Sequence, residues 1–174
     1  MASLARAKLA PLGTEVSAAR AERLPFAAGA FERALMNTVV HLLDRPAAFA
    51  EARRVLATAR GRLAIVTVDP AGAERFWLAD VFPSYARIDG ERFPAAAALE
   101  RDLRGAGFDS VAVHERPTRL RYTREEALER LRARSVSSLA LMDDDEVTAG
   151  IARAERTLPP VLDPVLELLI VIAA

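Results

Sequence analysis

The chain has 174 residues, enough for one domain with a substantial hydrophobic core. Hydrophobic residues make up 52% of it, and this composition excludes an intrinsically disordered chain. The 24 basic and 24 acidic residues balance, which argues against a broad surface for nucleic acid or for an anionic membrane. Cysteine is absent from the sequence, so disulfides and thiolate metal sites are excluded.

Neither end of the sequence has the pattern of a secretion signal or a membrane anchor. The first 15 residues contain no apolar run long enough for a signal peptide. The last apolar run, Val165–Ala174, is too short to span a bilayer and contains Glu167. We therefore expect a cytoplasmic protein that binds neither nucleic acid nor membranes.

The first third of the chain alternates between helical and extended patterns. A helix is predicted over residues 2–10, because Pro11 and Gly13 stop it. A short strand is predicted at Glu15–Ala19 and a second one at Arg33–Asn37.

A helix and a strand then follow in close succession. Asp44 is a plausible N-cap, with Pro46 in the first turn, where its missing N–H costs little. Three apolar residues share one face of this helix: Phe49, Ala52 and Leu56. Arg62–Val68 is a nearly continuous apolar run, which predicts a strand buried on both faces. This alternation indicates an α/β fold with a parallel sheet.

The second half of the chain continues the alternation. The pattern predicts a helix over residues 95–105 and a strand over residues 109–115. Thr123-Arg-Glu-Glu126 has the pattern of a capping box, and it opens a helix that is predicted to reach about residue 140.

Two further elements close the chain. The acidic run Asp143–Glu146 predicts a second helix start, with an end near Leu158 and the two prolines that follow it. Residues Leu168–Ala173 form the predicted final strand.

Four segments of residues 19–69 carry a family resemblance. They read Ala-Arg-Ala-Glu-Arg-Leu-Pro-Phe (19–26), Phe-Glu-Arg-Ala-Leu-Met-Asn (31–37), Glu-Ala-Arg-Arg-Val-Leu (51–56) and Gly-Arg-Leu-Ala-Ile-Val-Thr (61–67). Together they resemble the second half of a class I S-adenosylmethionine-dependent methyltransferase of the small-molecule "type 11" kind. The Gly-rich strand–turn–helix of that family, which holds most of the cofactor, would lie upstream of Met1.

The resemblance implies a partial Rossmann-like sheet within a single domain, residues 1–174, truncated at its N-terminus. Family sheets run in the order 3-2-1-4-5-7-6, and this chain would supply strands 3, 4, 5, 6 and 7. The last strand would insert antiparallel beside the penultimate one. A helical insertion before the last strand, residues 123–157, would form a lid over the acceptor pocket.

Without the two central strands, the Arg33–Asn37 strand would have an open edge. An unpaired edge invites pairing with another chain. We therefore expect either that Glu15–Ala19 moves in beside Arg33–Asn37, or that two chains pair there as a homodimer.

The resemblance also assigns candidate residues to the cofactor, S-adenosylmethionine. Six residues follow the predicted strands: Arg20, Ala21, Glu22, Asn37, Thr38 and His41. Arg20 stands where the family has an acidic residue for the adenine amino group, and arginine has no acceptor for that hydrogen bond. It could stack on the ring instead, or be a solvated surface residue.

His41 is the one weak candidate for a catalytic base. The alternative is that Asn37 caps the loop and His41 fixes the helix that follows. Five further residues are candidates for the acceptor: Asp69, Trp77, Phe82, Tyr85 and Arg134. An Asx turn explains Asp69 equally well, core packing explains the aromatic residues, and a solvated position explains Arg134.

No metal site is expected. His114 has no partner at metal-ligand spacing, and Asp143–Asp145 lacks the alternating spacing of a Ca²⁺ loop.

The sequence therefore leaves three functions open. The first is methyl transfer from S-adenosylmethionine to an unidentified small molecule, with weak or absent cofactor binding in this chain alone. The second is a non-enzymatic remnant of a methyltransferase that dimerises or binds a partner through the open sheet edge. The third is a small-ligand binding module that uses only the pocket under residues 76–93 and 123–157.

Overall fold

A computed structural model describes residues 2–57 and 60–174 of the chain. Its helices are α1 (Ala2–Leu9), α2 (Arg45–Val55), α3 (Leu78–Val81), α4 (Tyr85–Arg92), α5 (Ala96–Gly105), α6 (Arg124–Arg132) and α7 (Asp144–Thr157). Its strands are β1 (Arg33–Asn37), β2 (Arg62–Val68), β3 (Val111–Arg119), β4 (Tyr122–Thr123), β5 (Val161–Leu162) and β6 (Val165–Ala173). Short 3₁₀ turns cover Ala10–Leu12, Val40–Leu42, Pro70–Arg75 and Ser137–Leu141.

The main sheet has the strand order β1-β2-β6-β3. Strands β1 and β2 run parallel, and β6 lies antiparallel between β2 and β3. The order and directions correspond to family strands 4, 5, 7 and 6. The expected α/β class and the antiparallel last strand are therefore confirmed.

The strand expected at Glu15–Ala19 is wrong. Residues 14–19 form no helix or strand, and β1 pairs only with β2 among the residues described. The expectation that Glu15–Ala19 covers the open edge of β1 is wrong as well. A segment with one central valine between polar and alanine residues has little apolar surface to bury, so a sheet position offers it little stabilisation.

The two faces of the sheet differ in their cover. Helices α2 and α5 pack on one face, where Leu63 and Ile65 of β2 are completely buried. Val66 on the opposite face of the same strand remains partly exposed, so the prediction of burial on both faces is wrong. On that face Leu35 is 65% exposed and Ile172 is 37% exposed.

The insertion between β3 and β6 forms a second hydrophobic cluster. The chain leaves the sheet through the short β4–β5 ribbon, and α6 and α7 lie between these two strands in the sequence. The capping box is present: the Thr123 side chain accepts from the Glu126 N–H, and the Glu126 carboxylate accepts from the Thr123 N–H.

Helix α6 ends sooner than predicted. It stops at Arg132 rather than near residue 140, because Arg134 adopts a left-handed conformation with φ of 49°. The following segment forms the 3₁₀ turn Ser137–Leu141 instead. Helix α7 begins and ends where the acidic run and the two prolines predict.

The predicted cap of α2 is confirmed. The Asp44 carboxylate accepts a hydrogen bond of 3.3 Å from the Ala47 N–H, and Pro46 lies in the first turn. Within the described part of the chain, no helix has both the length and the apolar character that a membrane span requires.

Candidate functional site

A cavity of about 280 Å³ opens where the parallel strands end. Thr38 lies just beyond the end of β1, Val68 ends β2, and Leu120 follows β3. Leu166 of the antiparallel strand β6 completes this wall. Ligands of open α/β sheets bind outside the carboxyl ends of the strands, so this position is the one that the fold favours for a site.

The cavity lies between the sheet and the insertion. Phe76 and Trp77, which follow the 3₁₀ turn after β2, form one side together with residues of α3 and α4. Tyr122 of β4, Arg130 of α6 and the segment Ser135–Ser138 form the other. The insertion thus contacts the same space as the strand ends, which is the arrangement that a lid requires.

A buried carboxylate lines the inner wall. Asp89 of α4 is 4% exposed, and its Oδ1 accepts a hydrogen bond of 2.7 Å from the Ser138 hydroxyl. The Tyr85 side chain lies one helical turn before Asp89. Burial and the nearby Asp89 carboxylate raise the pKa of the Tyr85 phenol well above its ordinary value, so Tyr85 remains a protonated donor.

Arg92 joins this carboxylate to the neighbouring loop. Its guanidinium lies 3.9 Å from Asp89 Oδ1 and donates to the Ser137 hydroxyl at 2.7 Å. It also lies 3.1 Å from Nε2 of His41. Burial and the Arg92 charge lower the pKa of the His41 imidazole, which favours its neutral form. The His41 ring packs on Phe93 with centroids 4.4 Å apart.

Thr38 has an unusual backbone. Its φ is 50°, a region that β-branched residues rarely enter. Its N–H donates to the Val66 carbonyl at 2.7 Å, and its hydroxyl donates to the Asn37 side chain at 3.2 Å. Backbone strain of this kind occurs often at functional sites, and here it lies at a strand end that lines the cavity.

The structure brings together some of the candidate residues predicted from the sequence. Thr38, Trp77 and Tyr85 line the cavity, and His41 lies behind it against Arg92. Asn37 is exposed beside Thr38.

Three acceptor candidates do not line this cavity. The Asp69 carboxylate accepts from the Ala71 N–H at 3.0 Å, which is the Asx-turn alternative. Phe82 is completely buried in the core of the insertion. Arg134 is exposed and paired with Asp144 at 2.6 Å.

The adenine candidates form a separate loop. Arg20 is largely exposed, and its guanidinium lies 3.3 Å from the Glu22 carboxylate. That carboxylate also accepts from the Asp44 N–H at 3.3 Å. Hydrogen bonds from its own backbone and from Asp44 lower the pKa of Glu22. Glu22 therefore ties the loop of Arg20 and Ala21 to the start of α2.

Sequence reasoning missed the polar residues of α4 and Ser138, the hydrogen-bond partner of Asp89. Asp89, Arg92 and Ser138 were not among the candidates. The signal was present, because Tyr85, Asp89, Arg92 and Phe93 follow the i, i+4, i+7, i+8 spacing of one helix face. An aspartate among aromatic residues on such a face indicates a buried polar group that needs partners.

Comparisons with known proteins agree with this architecture. Residues 1–65 match the family described as "Methyltransferase domain". No curated protein matches the chain.

Solved structures match most of the chain. A candidate methyltransferase from an antibiotic biosynthesis pathway of Anabaena variabilis has a TM-score of 0.69 at 19% identity, covering 91% of this chain and 72% of its own. A candidate methyltransferase of Bacillus halodurans has a TM-score of 0.59 at 16% identity, covering 98% and 77%. A geranyl diphosphate methyltransferase in complex with S-adenosylmethionine has a TM-score of 0.51 at 16% identity, covering 99% and 64%. The chain therefore has the fold of class I methyltransferases, as the sequence resemblance predicts.

Proposed function

We propose that this chain, with its class I methyltransferase fold, forms the acceptor-binding part of an enzyme that methylates a small molecule with S-adenosylmethionine. The observation that carries the proposal is the cavity at the carboxyl ends of β1 and β2, enclosed by the insertion. Methyl transfer depends chiefly on holding donor and acceptor in line and on excluding water. A cavity between strand ends and an inserted pair of helices suits that task.

The chain's own residues fit only part of the cofactor. Asn37 and Thr38 lie at a strand end, and Ala21 offers a backbone N–H. Arg20 faces Glu22 and has no acceptor for an adenine amino group. The 174 residues contain no Gly-x-Gly-x-Gly sequence, whose backbone N–H groups would approach the cofactor. We propose that this chain alone binds the cofactor weakly.

Within this proposal, Asp89 replaces His41 as the candidate base. Asp89 lines the cavity, whereas His41 lies behind Arg92 and does not. A carboxylate facing a bound acceptor can take a proton from its hydroxyl or amine. His41, with a lowered pKa and a ring packed on Phe93, holds Arg92 in place.

Two measurements test the cofactor and the base. In a calorimetric titration with S-adenosylmethionine, we expect a dissociation constant weaker than about 10 µM, and a tighter value would contradict impaired binding. Incubation with labelled S-adenosylmethionine and a small-molecule extract tests transfer. We expect Asp89→Asn to lower any transfer by about 100-fold. The matched control is Glu91→Gln, an exposed carboxylate on the same helix that pairs with Arg87.

A second candidate function is a partner-binding or dimerising remnant. The open edge of β1 and the exposed side chain of Leu35, which projects from that strand, favour it. Sedimentation at micromolar concentration distinguishes the two functions, because a remnant of this kind sediments as a dimer and transfers no methyl group. A Gly-x-Gly-x-Gly sequence encoded in frame upstream of Met1 would favour the enzyme.

A further inference from the structure

The cavity collects a large share of the chain's aromatic residues. The sequence has one tryptophan, two tyrosines and seven phenylalanines. The tryptophan, both tyrosines and two phenylalanines line this single space: Phe76, Trp77, Tyr85, Phe93 and Tyr122. Aromatic rings prefer offset or edge-to-face contacts with other rings. Walls of this composition therefore favour a flat aromatic guest.

The size of the cavity limits that guest. Its volume of about 280 Å³ lies near the lower end of the range for ligand pockets.

A positive charge lies on the wall contributed by the insertion. The Arg130 guanidinium carbon lies 5.3 Å from the centroid of the Tyr122 ring, which also lines the cavity. Among the residues described, Arg130 has no ion pair or side-chain hydrogen bond, although many arginines of this chain have one. A guanidinium in contact with a ring keeps its N–H fork available to a carboxylate.

The buried Asp89 carboxylate does not cancel the preference for an anionic guest. Asp89 is satisfied within the protein by the Ser138 hydroxyl at 2.7 Å and by Arg92 at 3.9 Å. Arg92 balances the Asp89 charge, so Arg130 is the uncompensated charge on the cavity wall. A cationic guest would gain from the aromatic rings but would meet the uncompensated guanidinium of Arg130.

We infer that the cavity binds a small aromatic acid, whose ring lies among the aromatic side chains and whose carboxylate pairs with Arg130. This inference rests on the proposed role of the cavity as the acceptor site. It names the class of acceptor, which neither the fold nor the comparisons supply.

Trp77 provides a direct readout of binding. It is the one tryptophan of the sequence and it lines the cavity, so its fluorescence reports on a guest there. The full chain is titrated without cofactor, with excitation selective for tryptophan. Four probes of similar size are compared: phenylacetate, phenylacetamide, phenethylamine and cyclohexylacetate. Since no cofactor is present, a chain that fails to transfer methyl groups still gives a result.

Three variants separate the effect of the Arg130 side chain from that of the protein's net charge. Arg130→Gln removes the guanidinium on the cavity wall, and Arg130→Lys keeps the charge without the planar fork. Arg101→Gln is the matched control, because Arg101 is an exposed helical arginine outside the cavity. Circular dichroism confirms that all three variants are folded.

The expected result is that phenylacetate binds about tenfold more tightly than phenylacetamide, and more tightly than the amine or the non-aromatic acid. Arg130→Gln should abolish the preference for the acid, Arg130→Lys should keep part of it, and Arg101→Gln should keep all of it. Equal binding of acid and amide, tighter binding of the amine or of cyclohexylacetate, or no binding of any probe would each overturn the inference.

Discussion

Two regions of the molecule, the cavity walls and the loop of residues 13–31, are held by different kinds of interaction. Around the cavity, the insertion and the helices α3 and α4 share a core of apolar residues that includes Phe82, Leu131 and Leu139, each completely buried. In the loop, residues 13–31 are mostly exposed and are attached by polar contacts. Glu51 accepts from the Leu24 N–H at 2.6 Å, for example.

The cavity walls and the loop of Arg20 and Glu22 therefore differ in what stabilises their conformations. Burial of apolar surface contributes roughly 25 cal/mol per Å², whereas a single exposed polar contact contributes about 1 kcal/mol or less. The cavity walls are therefore shaped chiefly by packing. The loop of Arg20 and Glu22 depends on a few hydrogen bonds and can change its conformation at small cost.

The sharpest test of this contrast places the same substitution in the core around the cavity and in the loop of residues 13–31. Phe82 is completely buried, whereas Phe26 is 36% exposed and contacts Phe31 edge to face with centroids 4.8 Å apart. We expect Phe82→Ala to lower the free energy of unfolding by about 3–5 kcal/mol. Phe26→Ala should cost about 1 kcal/mol, the loss of one partly exposed aromatic pair. Urea denaturation of both variants measures the difference, and equal losses would remove the contrast.

A second test adds volume instead of removing it. A Cβ at Gly150 of α7 would overlap with the Phe82 ring, whereas a Cβ at Gly90 of α4 would meet nothing within 4 Å. We expect Gly150→Ala to destabilise the protein by about 1–3 kcal/mol through overpacking. Gly90→Ala should stabilise it by about 0.4–1 kcal/mol, because alanine is the better helix former.

The readout is again the urea midpoint. If Gly150→Ala were as harmless as Gly90→Ala, the contact between α7 and Phe82 would be looser than the structure shows. The insertion would then be a poor candidate for a preformed wall of the cavity.

Local sequence patterns predicted most of the fold. The Asp44 cap, the Thr123–Glu126 capping box and the apolar run Arg62–Val68 each act within a few residues, so their effect could be predicted without the rest of the chain. The order of the strands came from the family resemblance. Burial of β2 on both faces was predicted wrongly because the cover of a sheet depends on elements distant in sequence.

The site was harder to predict for the same reason. Asp69 was a candidate because it follows a predicted strand, and Arg134 because it lies in the predicted lid. In the structure each is satisfied by a neighbour, Asp69 by the Ala71 N–H and Arg134 by Asp144. The pairing of Asp89 with Ser138 joins residues 49 positions apart. Spacing along one helix face can identify Asp89 as buried, but only tertiary structure identifies its partner.

A third test concerns the polar attachment of the N-terminal loop. Hydrogen bonds from Arg54 and from the Leu24 N–H lower the pKa of Glu51 from 4.5 to about 2. Because the pKa of Glu51 is lower in the folded protein than in the unfolded chain, the contribution of Glu51 to the free energy of unfolding is fully present above pH 4.5. It is lost as the pH falls towards 2.

Glu51→Gln should therefore remove part of the acid dependence of stability. Between pH 4.5 and 2, the stability of the variant should fall less steeply than that of the wild type. Glu91→Gln, an exposed carboxylate on α4, is the control. Equal slopes for wild type and Glu51→Gln would show that the Leu24 contact does not hold the loop in solution.

The smallest effect is expected at His41, which packs on Phe93 beside Arg92. Burial, followed by the charge of Arg92, lowers the pKa of this imidazole below 6.5, and Asp89 opposes the shift. The unfolded chain then takes up a proton before the folded chain does, so stability falls as the pH drops below 6.5.

Proton NMR of the two histidines measures the pKa directly, and the variant His114→Gln leaves one signal, which assigns it to His41. His41→Gln should flatten the stability profile just below pH 6.5. A His41 pKa at or above 6.5 would mean that the ring is not buried beside Arg92 in solution.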